Sequence, residues 1–73
     1  MDFIEVLIGR MHEVRMYSGN WSPLKAIYVG YEEIMKLRSA PYHSGYTEDR
    51  IGVKSFRGVK VVVVNEENYL EVY

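Results

Sequence analysis

The sequence predicts a small α+β domain, a two-layer sandwich in which one or two helices cover one face of a three- or four-stranded, mainly antiparallel sheet. Two observations predict this class. Residues 59–64 are the most apolar and β-branched segment of the chain, as is typical of a central strand buried on both faces. Residues 2–17 carry apolar side chains at helical spacing. The 73 residues make one domain, 1–73, that buries only about 60% of its unfolded surface.

The first helix is predicted over residues 2–17, because its apolar side chains share one arc while acidic and small residues fall opposite. A strand over residues 3–8 is the rival interpretation, but the helical spacing continues to Val14. Ser18, Gly19 and Asn20 are residues that commonly end a helix. The side chains expected to face the core are Phe3, Ile4, Leu7, Ile8, Met11 and Val14.

Residues 22–38 have two interpretations. In the first, a strand over 25–29 is followed by a turn at Gly30 and a short helix over 31–38. In the second, one helix begins at Pro23 and continues to Arg38. We favour strand plus helix, because Gly30 in the middle of a helix would cost about 1 kcal/mol.

The remaining chain is predicted to be a loop followed by three strands. Residues 39–49 show neither helical nor strand period, and a loop of this length is either functional or merely mobile. Residues 50–56 alternate as a strand, and Arg57 with Gly58 turns the chain into the central strand. Residues 65–68 are predicted as the loop of a hairpin in which residues 69–73 return antiparallel to it.

The amino-acid composition limits the classes of function and the cellular location that we expect. Nine basic and ten acidic residues give a net charge of −1, which argues against a nucleic-acid-binding protein. Nucleic acid stays an alternative because Arg50, Lys54, Arg57 and Lys60 cluster with Tyr46 and Phe56 interleaved, and Lys54 and Lys60 could share a sheet face. The absence of cysteine favours a reducing cytoplasm, and no apolar run approaches the roughly 18 residues of a membrane helix. We therefore expect a soluble cytoplasmic protein.

Catalysis is not expected. The acidic doublets are adjacent residues whose side chains diverge on a helix or a strand. His12 and His43 have no metal-ligand spacing around them, and the chain has neither a nucleophile motif nor a glycine-rich phosphate loop. We predict a protein that is not an enzyme and has no catalytic residue, metal or cofactor.

Two short helices cannot cover both faces of a sheet, so one face is left as a candidate surface for self-association. Its residues are expected to be Val62, Val64, Tyr69 and Tyr73, with Phe56 as a further candidate. The alternative is that Trp21 and the long loop fold over this face.

The arrangement P-x-x-A-I-Y-V-G-Y-E-E-I-x-x-L over residues 23–37, followed by F-R-G-V-K-V-V-V over 56–63, resembles small bacteriophage or prophage proteins. More distantly, it is similar to a C-terminal segment of tailed-phage capsid proteins. The resemblance covers residues 23–73 and carries over no catalytic residue. It implies a viral origin, the cytoplasm of a host cell, and either an interaction protein or an accessory element of virion assembly.

The first functional hypothesis is a non-enzymatic protein-interaction module that inhibits a host protein or defence factor. Aromatic and arginine side chains supply most binding energy at protein interfaces, which makes the long loop and its basic neighbours candidates. The predicted partner-binding residues are Tyr42, His43, Tyr46, Arg50 and Arg57. The alternative is a virion assembly or accessory element that forms a homo-oligomer, and the second alternative is nucleic-acid binding.

Overall fold

A computed structural model describes residues 2–17, 24–41 and 44–73. The sequence predictions for Trp21, Tyr42 and His43, and for the helix stop at residues 18–20, lie outside these ranges. Two helices and five strands are formed. They are α1 (Phe3–Tyr17), β1 (Ile27–Val29), α2 (Tyr31–Arg38), β2 (Tyr46–Glu48), β3 (Lys54–Phe56), β4 (Val59–Val63) and β5 (Leu70–Val72).

The strands form one mixed sheet in the order β2-β3-β4-β1-β5. The β4 and β1 strands are parallel, and the other three pairings are antiparallel. The predicted fold class is confirmed, with five strands instead of three or four. The prediction that β4 is central is also confirmed, although only Val59 and Val61 are buried, while Val62 and Val63 are half-buried.

Both helices pack on one face of this sheet, as predicted. In α1, Leu7 and Met11 are buried and the other four side chains of the predicted arc pack against the core. In α2, Ile34 and Leu37 are buried. The sheet supplies the opposite wall of the core through Ile27, Val29, Phe56, Val59, Val61 and Val72.

The division of residues 25–38 into a strand and a short helix is confirmed. Gly30 separates the two elements, and a Cβ there would lie 2.7 Å from the Glu66 carbonyl oxygen and 2.8 Å from the Tyr69 nitrogen. Only glycine allows this close approach of two backbones. The carbonyls of Glu66 and Glu67 accept hydrogen bonds from the Tyr31 and Glu32 amides, so the 65–69 segment caps the start of α2.

The predicted hairpin between residues 59–64 and 69–73 is wrong. The β5 strand pairs with β1, whose other neighbour is β4. Residues 64–69 therefore pass over the end of β1 rather than forming a tight hairpin loop. The apolar β1 strand pairs on both sides, so its backbone groups are satisfied within the sheet.

The predicted loop over residues 39–49 and the predicted strand over 50–56 are both corrected. Residues 46–48 form β2, and the following strand begins only at Lys54. Between them the Asp49 carboxylate accepts hydrogen bonds from the amides of Ile51 and Val53, at 3.0 and 2.8 Å, which stabilises a turn. Ile51 consequently lies 85% exposed in the β2–β3 connection.

The predicted turn at Arg57-Gly58 is confirmed. Both residues have positive φ, 51° and 84°, as a two-residue hairpin connection of the type I′ kind requires. Phe56 and Val59 pair directly on either side of it. The turn thereby fixes the register of β3 on β4.

Candidate functional site

The open face is the face of the sheet opposite both helices. The strand registers assign its side chains, since residues on one strand alternate between faces. Tyr28 lies between the buried Ile27 and Val29, and it pairs with Val62 on one side and Glu71 on the other. The other side chains on this face are Thr47, Ser55, Lys60, Val64, Tyr69 and Tyr73.

Aromatic and aliphatic side chains converge on the half of the open face formed by β4, β1 and β5. The rings of Tyr28 and Tyr73 meet edge to face with their centroids 5.3 Å apart. Tyr73 is 52% exposed and Tyr69 is 36% exposed. Val62 and Val64 are half-buried beside these rings. The result is a partly exposed apolar surface carried on regular strands.

Tyr69 belongs to the same cluster. Partial loss of solvent raises the pKa of the Tyr69 hydroxyl, and the charges of Tyr73 and Glu71 raise it further. These contributions require the three side chains to lie near one another, as alternate positions along β5 do. Tyr69 therefore stays neutral throughout the physiological range and presents a hydroxyl donor at the border of the apolar surface.

The other half of the open face, on β2 and β3, is polar. The hydroxyls of Thr47 and Ser55 lie 2.7 Å apart and hydrogen-bond to each other. Lys60 is exposed on β4 beside this pair, and Glu71 is exposed on β5. The apolar surface is therefore flanked by charges of opposite sign.

The residues predicted for self-association are brought together. Val62, Val64, Tyr69 and Tyr73 all lie on the open face, as the alternation along β4 and β5 indicates. Phe56 does not belong there, because it is fully buried between the sheet and the helices. Tyr28 was not predicted, although its place between Ile27 and Val29 in a strand already assigns it to the face opposite those two side chains.

The residues predicted for partner binding do not converge within the described ranges. Arg50 lies in the β2–β3 connection, while Arg57 lies in the turn at the other end of β3. Tyr46 packs against the core, and its hydroxyl is buried near the Arg38 guanidinium without a hydrogen bond of regular geometry in the part of the chain the structure describes. Tyr42 and His43 lie outside that part. Their role stays a prediction.

Tyr46 adjoins a surface cluster of charges at the end of α2. Glu48 Oε1 lies 3.2 Å from Arg38 Nη2 and 3.5 Å from Lys54 Nζ. The hydrogen bond to Glu48 raises the pKa of Arg38, and burial raises the pKa of Tyr46. These ion pairs connect α2 to the β2–β3 hairpin.

The basic cluster is divided between the two faces of the sheet. Lys54 pairs in register with Val61, on the helix side, while Lys60 pairs with Ser55, on the open face. The prediction that Lys54 and Lys60 could share a face is therefore wrong. Phe56 is also too buried to stack on a base. These residues therefore do not form the continuous basic and aromatic surface that binds single-stranded nucleic acid in other proteins.

Two further features of the described chain are the start of α2 and a groove beside α1. The Tyr31 and Glu32 amides at the start of α2 donate hydrogen bonds to the carbonyls of Glu66 and Glu67. These two amides are therefore not available to bind an anion. A wide groove of about 530 Å³ lies between the first turn of α1 and the end of α2, where Lys36 Nζ lies 5.7 Å from the centre of the Phe3 ring.

Within residues 2–17, 24–41 and 44–73, no group of three or more His, Asp or Glu side chains is placed to hold a metal ion. None of the helices there is both long and apolar enough to cross a membrane. Comparison of the chain with protein-family models, curated proteins and solved structures gave no match.

Proposed function

We propose that this protein is a non-enzymatic protein-interaction module and that its contact surface is the open face of the sheet. The observation that carries the proposal is the convergence of Tyr28, Tyr69 and Tyr73 with two valines on the face away from both helices. Tyrosine is among the side chains enriched at the centres of protein interfaces, because it combines apolar area with a polar end.

The position of this surface suits recognition of a folded partner. The backbone beneath this surface is hydrogen-bonded to β1 and its flanking residues, so little backbone conformational entropy is lost when the surface is covered. The polar border of Thr47, Ser55, Lys60 and Glu71 supplies the hydrogen-bonding rim that surrounds an apolar centre in many interfaces. A chain of 73 residues with a modest core would also gain stability from a partner that binds only the folded state.

The biological setting of the protein is proposed from the sequence alone. A phage or prophage origin, inhibition of a host protein in the cytoplasm, and a part in virion assembly are all compatible with binding through the open face. The nucleic-acid alternative has less support, since the net charge is −1 and the basic side chains are split between faces.

Co-purification tests this function. The tagged chain is co-expressed in bacteria with an untagged copy of itself, captured from nuclease-treated lysate, and everything retained is quantified by mass spectrometry. Three versions are compared: the wild type, an open-face variant with Val62→Thr and Tyr73→Ser, and a control variant with Met35→Ser and Ile51→Ser. The control removes apolar area that is 67% and 85% exposed on α2 and the β2–β3 connection.

We expect the wild type and the control to retain at least one protein, the untagged copy included, in stoichiometric amount. We expect the open-face variant to retain about tenfold less, since loss of one anchoring aromatic commonly costs more than 1 kcal/mol of binding energy. Circular dichroism of each variant checks that it is folded. Equal retention by the open-face variant, or loss confined to the control, would overturn the proposal.

A further inference from the structure

We propose that the partner covering the open face is a second copy of this chain, related by a two-fold axis that runs along β1. This inference rests on the proposed function and names the partner of the same surface. In a two-fold dimer each contact occurs twice, so the face must be complementary to itself. Three features of the sheet meet that requirement.

The first feature is the strand order. β1 lies between β4 and β5, so a two-fold axis parallel to β1 and above it exchanges the two flanking strands. β4 of one copy then lies over β5 of the other, and the reverse contact is made at the same time. Face-to-face sheets keep their strand directions within about 30° of each other, which this arrangement allows.

The second feature is the match between side chains on the exchanged strands. On the open face, β4 and the residue after it present Val62 and Val64, while the residues on either side of β5, Tyr69 and Tyr73, present aromatic rings. By the registers, exchange places Val64 at the level of Tyr69 in both halves of the interface, and Val62 at the level of Glu71, between the two rings. The Tyr28 rings of the two copies would meet near the axis.

The third feature is charge. Lys60 on β4 and Glu71 on β5 are both exposed, and neither has an ion-pair partner among the residues that the structure describes. The registers place Glu71 at the level of Val62, two residues beyond Lys60 along the strands, or about 7 Å. A lysine side chain spans that offset. Each Lys60 would therefore pair with Glu71 of the second copy, twice per dimer.

The size of the face sets the expected affinity. With the axis over β1, only β4, β1 and β5 of the two copies overlap. Three strands about 4.8 Å apart and about 17 Å long give roughly 250 Å² per copy in projection. The total lies below that of standard-size interfaces, in the range of weak, transient ones, so we expect a reversible dimer with a dissociation constant of about 100 µM.

Sedimentation equilibrium tests the dimer and its geometry together. The wild type, Lys60→Glu, Glu71→Lys, the double variant and a Lys36→Glu control are measured from about 1 µM to about 1 mM at about 0.15 M salt. We expect the wild type and the control to approach twice the monomer mass. We expect each single open-face variant to dissociate at least about tenfold more readily, because two unlike-charge contacts become like-charge contacts.

Mixing the two single variants gives the decisive result. In a two-fold dimer formed from one copy of each, both contacts again join opposite charges. We therefore expect the mixture to associate as tightly as the wild type, within about threefold, and the double variant to do the same. Neither recovery would occur if the substitutions had merely unfolded the chain.

A wild type that stays monomeric to about 1 mM, or single variants that fail to associate when mixed, would overturn this inference. These failures are distinct from failure of the proposed function. If the wild type is a monomer and the open-face variant fails to retain some other co-purifying protein, the proposed function stands and only the identity of the partner changes. If the wild type is a monomer and the open-face variant retains the same proteins as the wild type, both the dimer and the proposed function are refuted.

Discussion

Replacement of Gly30 by alanine should destabilise this protein more than any other glycine-to-alanine change on a helix or at its start. The added Cβ would lie 2.7 Å from the Glu66 carbonyl oxygen and 2.8 Å from the Tyr69 nitrogen, whereas ordinary contacts begin near 3.4 Å. Both neighbours are backbone atoms, so relief requires the 65–69 segment to move away from α2. That segment caps the helix and leads into β5.

The magnitude follows from what the movement disturbs. Overpacking of this kind costs about 1–3 kcal/mol. The displaced atoms take part in hydrogen bonds of 2.9–3.0 Å, from the Tyr31 amide to Glu66 and from the Tyr69 amide to the buried Glu33 carboxylate. Weakening one or two of them adds about 0.5–1.5 kcal/mol each. We expect a total loss of about 2–4 kcal/mol, against roughly 4–11 kcal/mol for a chain of this length.

Urea unfolding followed by circular dichroism measures this loss, with Gly9→Ala as the matched control. Gly9 lies on the exposed side of α1, and a Cβ there meets nothing within 4 Å. The control should raise the free energy of unfolding by up to about 1 kcal/mol, because alanine favours the helix. With a slope of about 1 kcal/mol per molar urea, the midpoint should fall by about 2–4 M for Gly30→Ala and rise by up to about 1 M for Gly9→Ala.

Protein concentration must be the same in all three measurements, since a dimer would make stability depend on it. The reasoning is refuted if Gly30→Ala leaves the midpoint unchanged or raises it. In that case the close approach of the 65–69 segment would not be what requires glycine at this position.

Three further changes test the charged cluster and the β3–β4 turn by urea unfolding. Tyr46→Phe removes a buried hydroxyl without a hydrogen bond of regular geometry in the described ranges, so stability at neutral pH should stay equal or rise by up to about 1 kcal/mol. Because the pKa of Tyr46 is raised on folding, the unfolded chain loses its proton first, so stability falls as pH rises above about 10, and less steeply in this variant. Arg57→Asn relieves a residue held at φ 51° and should add up to about 1 kcal/mol. Glu48→Gln breaks ion pairs to Arg38 and Lys54 and should cost less than about 1 kcal/mol, a difference that disappears in about 1 M salt.

Each of these has a contrary outcome. A less stable Tyr46→Phe variant would show that the hydroxyl is hydrogen-bonded in solution. A less stable Arg57→Asn variant would show that the arginine side chain contributes more than the strain costs. A Glu48→Gln loss that persists at high salt would place the ion pairs in a less solvated site than their exposure indicates.

The helices could be predicted because their pattern is local. In α1 the apolar residues recur at helical spacing, so Leu7 and Met11 were assigned to the core before any neighbour was known. Gly30 likewise divides β1 from α2 because a glycine is costly inside a helix. The structure adds a second reason for that glycine, the close approach of residues 66 and 69, which no local pattern contains.

Strand pairing could not be predicted in the same way. The sequence of residues 59–73 predicts a hairpin, because strands that are consecutive in the chain most often pair. In the structure β1 lies between β4 and β5. The short β2 strand was missed because its three residues gain strand geometry from pairing with β3 rather than from their own pattern. The alternation expected over residues 50–56 was broken by the Asp49 side chain, which closes a turn.

The sequence by itself determined which side chains of β4 and β5 share a face, since alternation along a strand requires no knowledge of its neighbours. It thereby assigned Val62, Val64, Tyr69 and Tyr73 to one surface. Only the tertiary structure decided that Tyr28 joins them, that Phe56 does not, and that Lys60 and Glu71 lie on the two strands that flank β1. Those facts depend on the order of the strands, which is decided by contacts between residues far apart in the chain.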